Sequence, residues 1–412
     1  MAYLIIDPCG KYPQQIMEFL ARLDRGAVAV FTRPGRYLLW RDKWSKKLRH
    51  LVLDQYLATK SPNVRHLAAE IRHAWPNLDG VIPWDEEGVV LAAELSELLD
   101  LGWNSPEIIE RCRDKGVMKS WLRQHGGVRV NASRVVTHAE DALSFQRQVG
   151  HWPIVVKPTA GSGSTDVYFA HGEGELLGAC QTVMEGGLGD VLLEEFIGGR
   201  ELCVNGIVDR RHDLLVTDVW SYERRPNQGR MVYYECTSVP THDPVFSLLA
   251  QYSAQVVEAL ELRRAPIHME VKVDDRGPCL IEVGARLSGG NLPVLASRLH
   301  GRSLIELVTC HWLSDLPLTG RDLDYARYDR LRAAVLSGIQ EHTVRPIRKV
   351  HGVDEVRSLP SFAGFGILRP LGNTARLTVD LDTAAWEVYL VAGDEQQLVR
   401  DSQKVRHFLR YE

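Results

Sequence analysis

Residues 267–286 read IHMEVKVDDRGPCLIEVGAR, two alternating apolar strands joined by a polar turn, with a glutamate inside each strand. Alternation puts Met269, Val271 and Val273 on one face, and Cys279, Ile281 and Val283 on one face of the partner strand. Glu270 and Glu282 take the opposite faces. With the turn centred on Arg276, the two carboxylates stand directly across from each other. Like charges opposed on a sheet destabilise it, so a bridging cation is the natural remedy. Magnesium suits carboxylates that share it with substrate phosphates. A register slip, or an exposed sheet face, would account for the acids without any ion.

Working outward, residues 284–291 follow as Gly-Ala-Arg-Leu-Ser-Gly-Gly-Asn. Arg286, two residues past the strand, can clamp a phosphoryl or carboxylate oxygen in bidentate fashion, or it is a surface arginine. Upstream, residues 191–204 run an apolar strand into Glu194, Glu195, Phe196 and a Gly-Gly turn, after which Glu201 opens a second strand. Such a segment between domains can read an adenine edge and accept ribose hydroxyls, or it is a hairpin with solvated acids. Further upstream, residues 154–167 form an apolar strand ending in Lys157 and a small, hydroxyl-rich turn. Lysine and free backbone N–H groups there suit a polyphosphate, although no Gly-Lys-Ser/Thr ends the turn. A plain hairpin with an exposed lysine is the alternative.

The first hundred residues alternate strand and helix. Residues 3–6 and 27–32 read as buried strands around a helix at 14–23, a rhythm that predicts a parallel sheet. The first turn, Asp7-Pro8-Cys9-Gly10, lacks the G-x-G-x-x-G fingerprint of dinucleotide binding. An amphipathic helix is expected over 85–101. Ser105-Pro106-Glu107 then caps a helix running through Cys112 and Met118. A strand near Val135 and a helix over 139–149 follow. The basic stretch 41–50, despite Trp44, reads as a solvated face.

Composition bounds the rest. The chain has 412 residues, 45% hydrophobic and 25% charged, which suggests two or three domains with ample core. Its 49 basic and 53 acidic residues nearly cancel, so no nucleic-acid partner is expected. Seven singly spaced cysteines fit a reduced, cytoplasmic protein, and neither a secretory leader nor a membrane span is expected.

In this order the segments resemble the ATP-grasp superfamily over residues 114–316. The flanking stretches 84–119 and 350–360 are similar to its branch of L-amino acid ligases and carnosine synthases. The resemblance implies an α/β and α+β fold. It comprises an N-terminal parallel-sheet domain (1–113), two α+β ATP-grasp subdomains, a lid (114–196) and a larger one with the metal site (197–320), and an appended C-terminal region packing on the core (321–412).

The same resemblance implies that Lys115 and Lys157 reach the phosphates of ATP and that Ser162, Gly163 and Ser164 close over them. Glu194 and the backbones of Glu195 and Ile197 would contact adenine, and Glu201 the ribose. Glu270 and Glu282 would bind one or two magnesium ions, with manganese as an alternative. The family pattern Glu-x-Asn-x-Arg has Gly284 at the asparagine position here, with Asn291 or a water as the substitute ligand.

The implied reaction is ATP-dependent joining of a small carboxylate, activated as an acyl phosphate, to an amine. ADP and phosphate leave, and Arg286, Lys157 and His268 are the catalytic candidates, with His268 either beside Arg286 at the oxyanion or a buried structural histidine. The residues Tyr222, Arg224, Arg225, Tyr233, Glu235 and His242 are candidates for specificity, or part of a plain strand. A purine-biosynthetic or carboxylating ligase and an ATP-binding regulator without turnover are the competing functions. The branch also implies a homodimer as an assembly.

Overall fold

A computed structural model describes residues 1–125, 127–161, 166–187, 190–313 and 319–412. The lid residues Ser162, Gly163 and Ser164 lie outside the described residues.

The N-terminal sheet is parallel, as the strand–helix rhythm requires, in the order Val52–Leu57, Gly26–Phe31, Ala2–Ile6, Leu78–Ile82. One face packs Leu4, Ile6, Val28 and Val30 on Leu67, Ala68 and Ile71 of the helix Val64–Ala74. The other sends Tyr3 and Ile5 into the main core of the molecule. With both faces covered, the strands can be apolar throughout.

Two helices differ from expectation. The helix expected over 85–101 begins at Val89, because the Asp85 carboxylate accepts the Gly88 N–H at 2.9 Å and holds the preceding turn out of the helix. The helix expected through Cys112 and Met118 is two, Pro106–Arg113 and Lys115–His125, broken where Asp114 is extended. The Asp114 carboxylate accepts the Val117 N–H at 2.9 Å, and the Lys115 N–H reaches the Thr159 carbonyl at 3.1 Å. The break therefore seats Lys115 against the end of the Lys157 strand.

The largest sheet has eight antiparallel strands, ordered Gly277–Gly284, Ala265–Asp274, Arg200–Val208, Leu214–Asn227, Arg230–Ser238, Arg332–Ser337, Trp386–Ala392 and Phe362–Leu368. Its last three strands come from the region expected to be an appendage, so that region extends the central sheet. The lid also differs from its expected bounds. Its four-stranded antiparallel sheet, Ser133–Val136, Val191–Glu195, Ile154–Pro158 and Tyr168–Ala170, has its own core including Val136, Phe145, Val156 and Leu193. Met118 and Leu122 of the preceding helix belong to the main core instead.

The strands Val191–Glu195 and Arg200–Val208 lie in different sheets, so residues 196–199 form a link between bodies and the hairpin alternative is excluded. Among the described residues no helix is long and apolar enough to cross a membrane. The basic stretch 41–50 is mostly helical, and its Trp44 packs on the core while Arg41, Lys43 and Lys47 stay exposed or half-exposed.

Candidate active site

Glu270 pairs directly with Glu282 across the two strands. The reason is subtler than a turn centred on Arg276. Asp274 pairs with Gly277, so the turn is the two residues Asp275 and Arg276, and a bulge between Glu270 and Val271 absorbs Ile281. The bulge breaks the alternation expected of the second strand. Leu280 and Val283 enter the core, whereas Ile281 and Glu282 both face a cavity. Met269 and Val271 are buried on the core face as expected, and Val273 packs at its edge.

That cavity, of about 830 Å³, opens between the lid and the large sheet. Lys115, Lys157, Glu194, Glu195, Ile197, Glu201, Glu270 and Glu282 all line it, so the structure brings these candidates together. Apolar groups of Val155, Phe169, Phe196 and Ile281 line it too, the last two from the inter-sheet link and the bulge. A second cavity, of about 370 Å³, holds Arg286, His268, Glu235 and the carboxylates of Asp85 and Glu86. Tyr222, Tyr233, Glu270 and Glu282 line both, so the opposed acids stand where the two cavities meet.

The cations are arranged in pairs with acids. Lys115 Nζ lies 2.9 Å from Glu282 and donates to the Gly161 carbonyl at 3.0 Å. Burial would raise the Glu282 carboxyl, but Lys115, Lys157 and Arg286 hold it down at about 2. Glu194 is gripped from both sides, by Lys119 at 2.9 Å and Lys157 at 2.9 Å. Burial again opposes ionisation, and the two ammonium groups overcome it, leaving the carboxyl at about 2. Lys119 is fully buried and also donates to the Leu280 carbonyl at 3.1 Å and to Asn131 Oδ1. It had no place among the sequence candidates. Its signal was the spacing from Lys115, four residues apart on one helix face.

Glu201 accepts from Arg224 Nε at 2.7 Å and lies 3.4 Å from Lys272 Nζ. Burial would raise its carboxyl and these cations lower it. Arg224 also stacks on the Tyr233 ring at 3.9 Å and donates to its hydroxyl at 2.7 Å, and that hydroxyl reaches Glu270 at 3.3 Å. Among the specificity candidates, Tyr222, Arg224, Tyr233 and Glu235 face the cavities. Arg225 pairs with Glu223 on the surface, and His242 is exposed in a turn, so these two are not brought to the site.

His268 is 8% exposed, with Nδ1 2.8 Å from Asn205 Oδ1 and Nε2 3.8 Å from Glu270. Asn205 Nδ2 donates to Asp218 Oδ1 at 2.6 Å, which fixes the amide so that its oxygen accepts from the ring. The proton therefore sits on Nδ1, and Nε2 faces the smaller cavity.

Asn291 is not with the acids. Its backbone is left-handed, φ 56°, at the start of the helix Leu292–His300, and its amide donates to the Tyr389 hydroxyl at 2.5 Å. It lines neither cavity, so its expected role as a metal ligand is corrected.

Comparison with known proteins gives a domain match and a likeness in fold. Residues 150–293 match the model of the ATP-grasp domain. The chain is 28% identical over 265 residues to dapdiamide A synthase of Enterobacter agglomerans, covering 63% of this chain and 60% of that protein. It is 22% identical over 252 residues to the L-arginine-specific L-amino acid ligase of Bacillus subtilis, covering 59% of each. The matched regions thus span about three fifths of these curated relatives, 60% and 59%. In fold, it is similar to the L-amino acid ligase of Bacillus licheniformis, with a TM-score of 0.78 at 17% identity, over 100% of this chain and 98% of the other.

Proposed function

We propose that this chain, a member of the ATP-grasp superfamily through its domain at residues 150–293, is an ATP-dependent carboxylate–amine ligase. The observation that carries the reading is the position of Glu270 opposite Glu282, on the wall shared by a nucleotide-sized cavity and a smaller one. Two hard oxygen donors facing each other fit magnesium, which when bound supplies charge neutralisation at the phosphate oxygens.

ATP would lie in the larger cavity, its base among Val155, Phe169, Phe196 and Ile281 and its phosphates toward Lys115 and Lys157. The two substrates would occupy the smaller one. The substrate carboxylate oxygen attacks the γ-phosphorus, the bond to ADP breaks, and Lys115 and Lys157 hold the charge that develops. The amine nitrogen then attacks the acyl phosphate carbon, with Arg286 donating to the oxyanion before phosphate leaves. His268 was expected to help at the oxyanion. With Nδ1 committed to Asn205, Nε2 is the nitrogen left to take the proton the amine loses.

The relatives named as an amino acid ligase and a dapdiamide synthase support amino acids or similar small acids as substrates. The test is to incubate the purified protein with ATP, magnesium and amino-acid pairs, following ADP and a mass-matched amide. Formation of AMP in place of ADP would overturn the reading. Tight ATP binding with no ADP across a broad panel would favour a regulator.

A further inference from the structure

Gly284 stands at a position with no backbone need for glycine, since its φ is not in the left-handed range. What the missing side chain leaves is room. A Cβ there would lie 3.1 Å from Glu86 Oε2 and 3.5 Å from both Cγ and Nε of Arg286. Glu86 reaches this point from the N-terminal domain, on the turn before the helix Val89–Leu99. Its Oε2 accepts from Arg286 Nε at 2.6 Å, while Oε1 lies 3.7 Å from Arg113 Nη1.

We propose that Glu86 is the positioning residue for Arg286 and that it works in the space that Gly284 vacates. Arg286 is tied at two of its three nitrogens. Nε is held by Glu86 and Nη1 by the Leu287 carbonyl at 3.0 Å, which together fix the plane of the guanidinium. Among the described residues Nη2 has no hydrogen-bond partner, and it is the donor left for a substrate oxygen in the smaller cavity. An asparagine at 284, the residue of the family pattern, would compete with the Glu86 carboxylate for one volume. The loss of a side chain from the strand's last residue and the entry of a carboxylate from another domain are then one exchange. Burial disfavours the guanidinium's charge, and Glu86 first, then Glu282 and Glu270, more than offset it.

The inference rests on the ligase reading for Arg286, and the test separates the two. The full-length variants Glu86→Gln, Glu86→Ala, Gly284→Asn and Glu86→Ala/Gly284→Asn are compared with wild type. ADP release is resolved into kcat and KM, and thermal midpoints are taken without nucleotide. Glu86→Gln is expected to lower kcat at least about tenfold with KM for ATP within about twofold, because Glu86 lies outside the nucleotide cavity. Gly284→Asn is expected to lower both kcat and midpoint in the native background, and to cost markedly less once Glu86 is alanine. Additive midpoint losses would overturn the shared space. A raised KM for ATP at unchanged kcat would overturn the positioning role. If wild type releases no ADP with any substrate pair, the ligase reading fails on its own, and the midpoints still decide whether the two residues compete.

Discussion

Lys119 places its ammonium 2.9 Å from Glu194 in a part of the protein closed to solvent. Glu194 thereby carries two lysines, and only Lys157 also lines the nucleotide cavity. The buried lysine answers the carboxylate's charge from behind, so Lys157 can turn toward a phosphate without leaving Glu194 uncompensated. Lys119→Met should therefore act twice. Removing one partner of a buried ion pair costs about 3–5 kcal/mol, read by urea denaturation. KM for ATP should also rise, because Lys157 becomes the sole counter-ion of Glu194. The double variant Lys119→Met/Glu194→Gln should recover part of the stability, and a further additive loss would refute the pairing.

The same cluster sets an acid limit. Glu194 titrates at about 2 in the folded protein against an ordinary 4.5, so its contribution to stability is complete above 4.5. As pH falls from 4.5 to 2 the unfolded chain binds the proton first, and that stability is lost. Asp85 has the opposite sign. Burial raises its carboxyl from 3.8 to about 6 despite the Arg36 guanidinium at 2.8 Å, so it makes the fold less stable as pH rises through that window. Denaturation midpoints across this range should steepen at the acid end for wild type and flatten there in Glu194→Gln. Asp85→Asn should remove the decline between 3.8 and 6.

Glu270→Gln removes one of two like charges without changing volume. Stability without metal should hold or rise by about 0.2–1 kcal/mol, the scale of a cross-strand repulsion relieved. Turnover should fall by about a hundredfold or more. The rise in midpoint that magnesium and a non-hydrolysable ATP analogue give wild type should shrink. Calorimetry and ADP release measure the two sides, and full activity with an undiminished metal response would remove Glu270 from the site.

The acids at 270 and 282 were legible because a two-residue period and a turn signal are local. Their alignment was legible by compensation, since the shorter turn and the bulge at Ile281 cancel. What local pattern could not give was contact between distant segments. Glu86 meets Arg286 and Lys119 meets Glu194 only once the N-terminal domain, the lid and the large sheet have packed, and neither pair has a short-range signature. Asn291 failed for a related reason. Its neighbourhood in sequence suggested the metal, while a left-handed backbone turned its amide to Tyr389 on a strand of the C-terminal region. That region looked like an appendage because only one of its strands, Arg332–Ser337, reaches back to pair with residues 235–237, far upstream, while Trp386–Ala392 and Phe362–Leu368 build on that strand in turn.

Arg230 links the large sheet to the lid. Its guanidinium lies 4.0 Å from the centre of the Tyr168 ring and donates to the Val167 carbonyl at 3.1 Å. Stacking of this kind contributes about 0.5–2 kcal/mol and a charged hydrogen bond about 1.5–3. Arg230→Ala should therefore loosen the lid on the nucleotide and raise KM for ATP roughly tenfold, a change of about 1.4 kcal/mol. The main core, which Arg230 does not enter, should keep its thermal midpoint. Arg230 also lines the nucleotide cavity, so a direct charge effect on phosphate is the competing explanation. Lysine separates the two, since it keeps the charge but loses the planar stack and the fixed fork. Arg230→Lys should leave most of the KM defect in place if the residue is a latch. Full recovery by lysine would show that its charge alone matters.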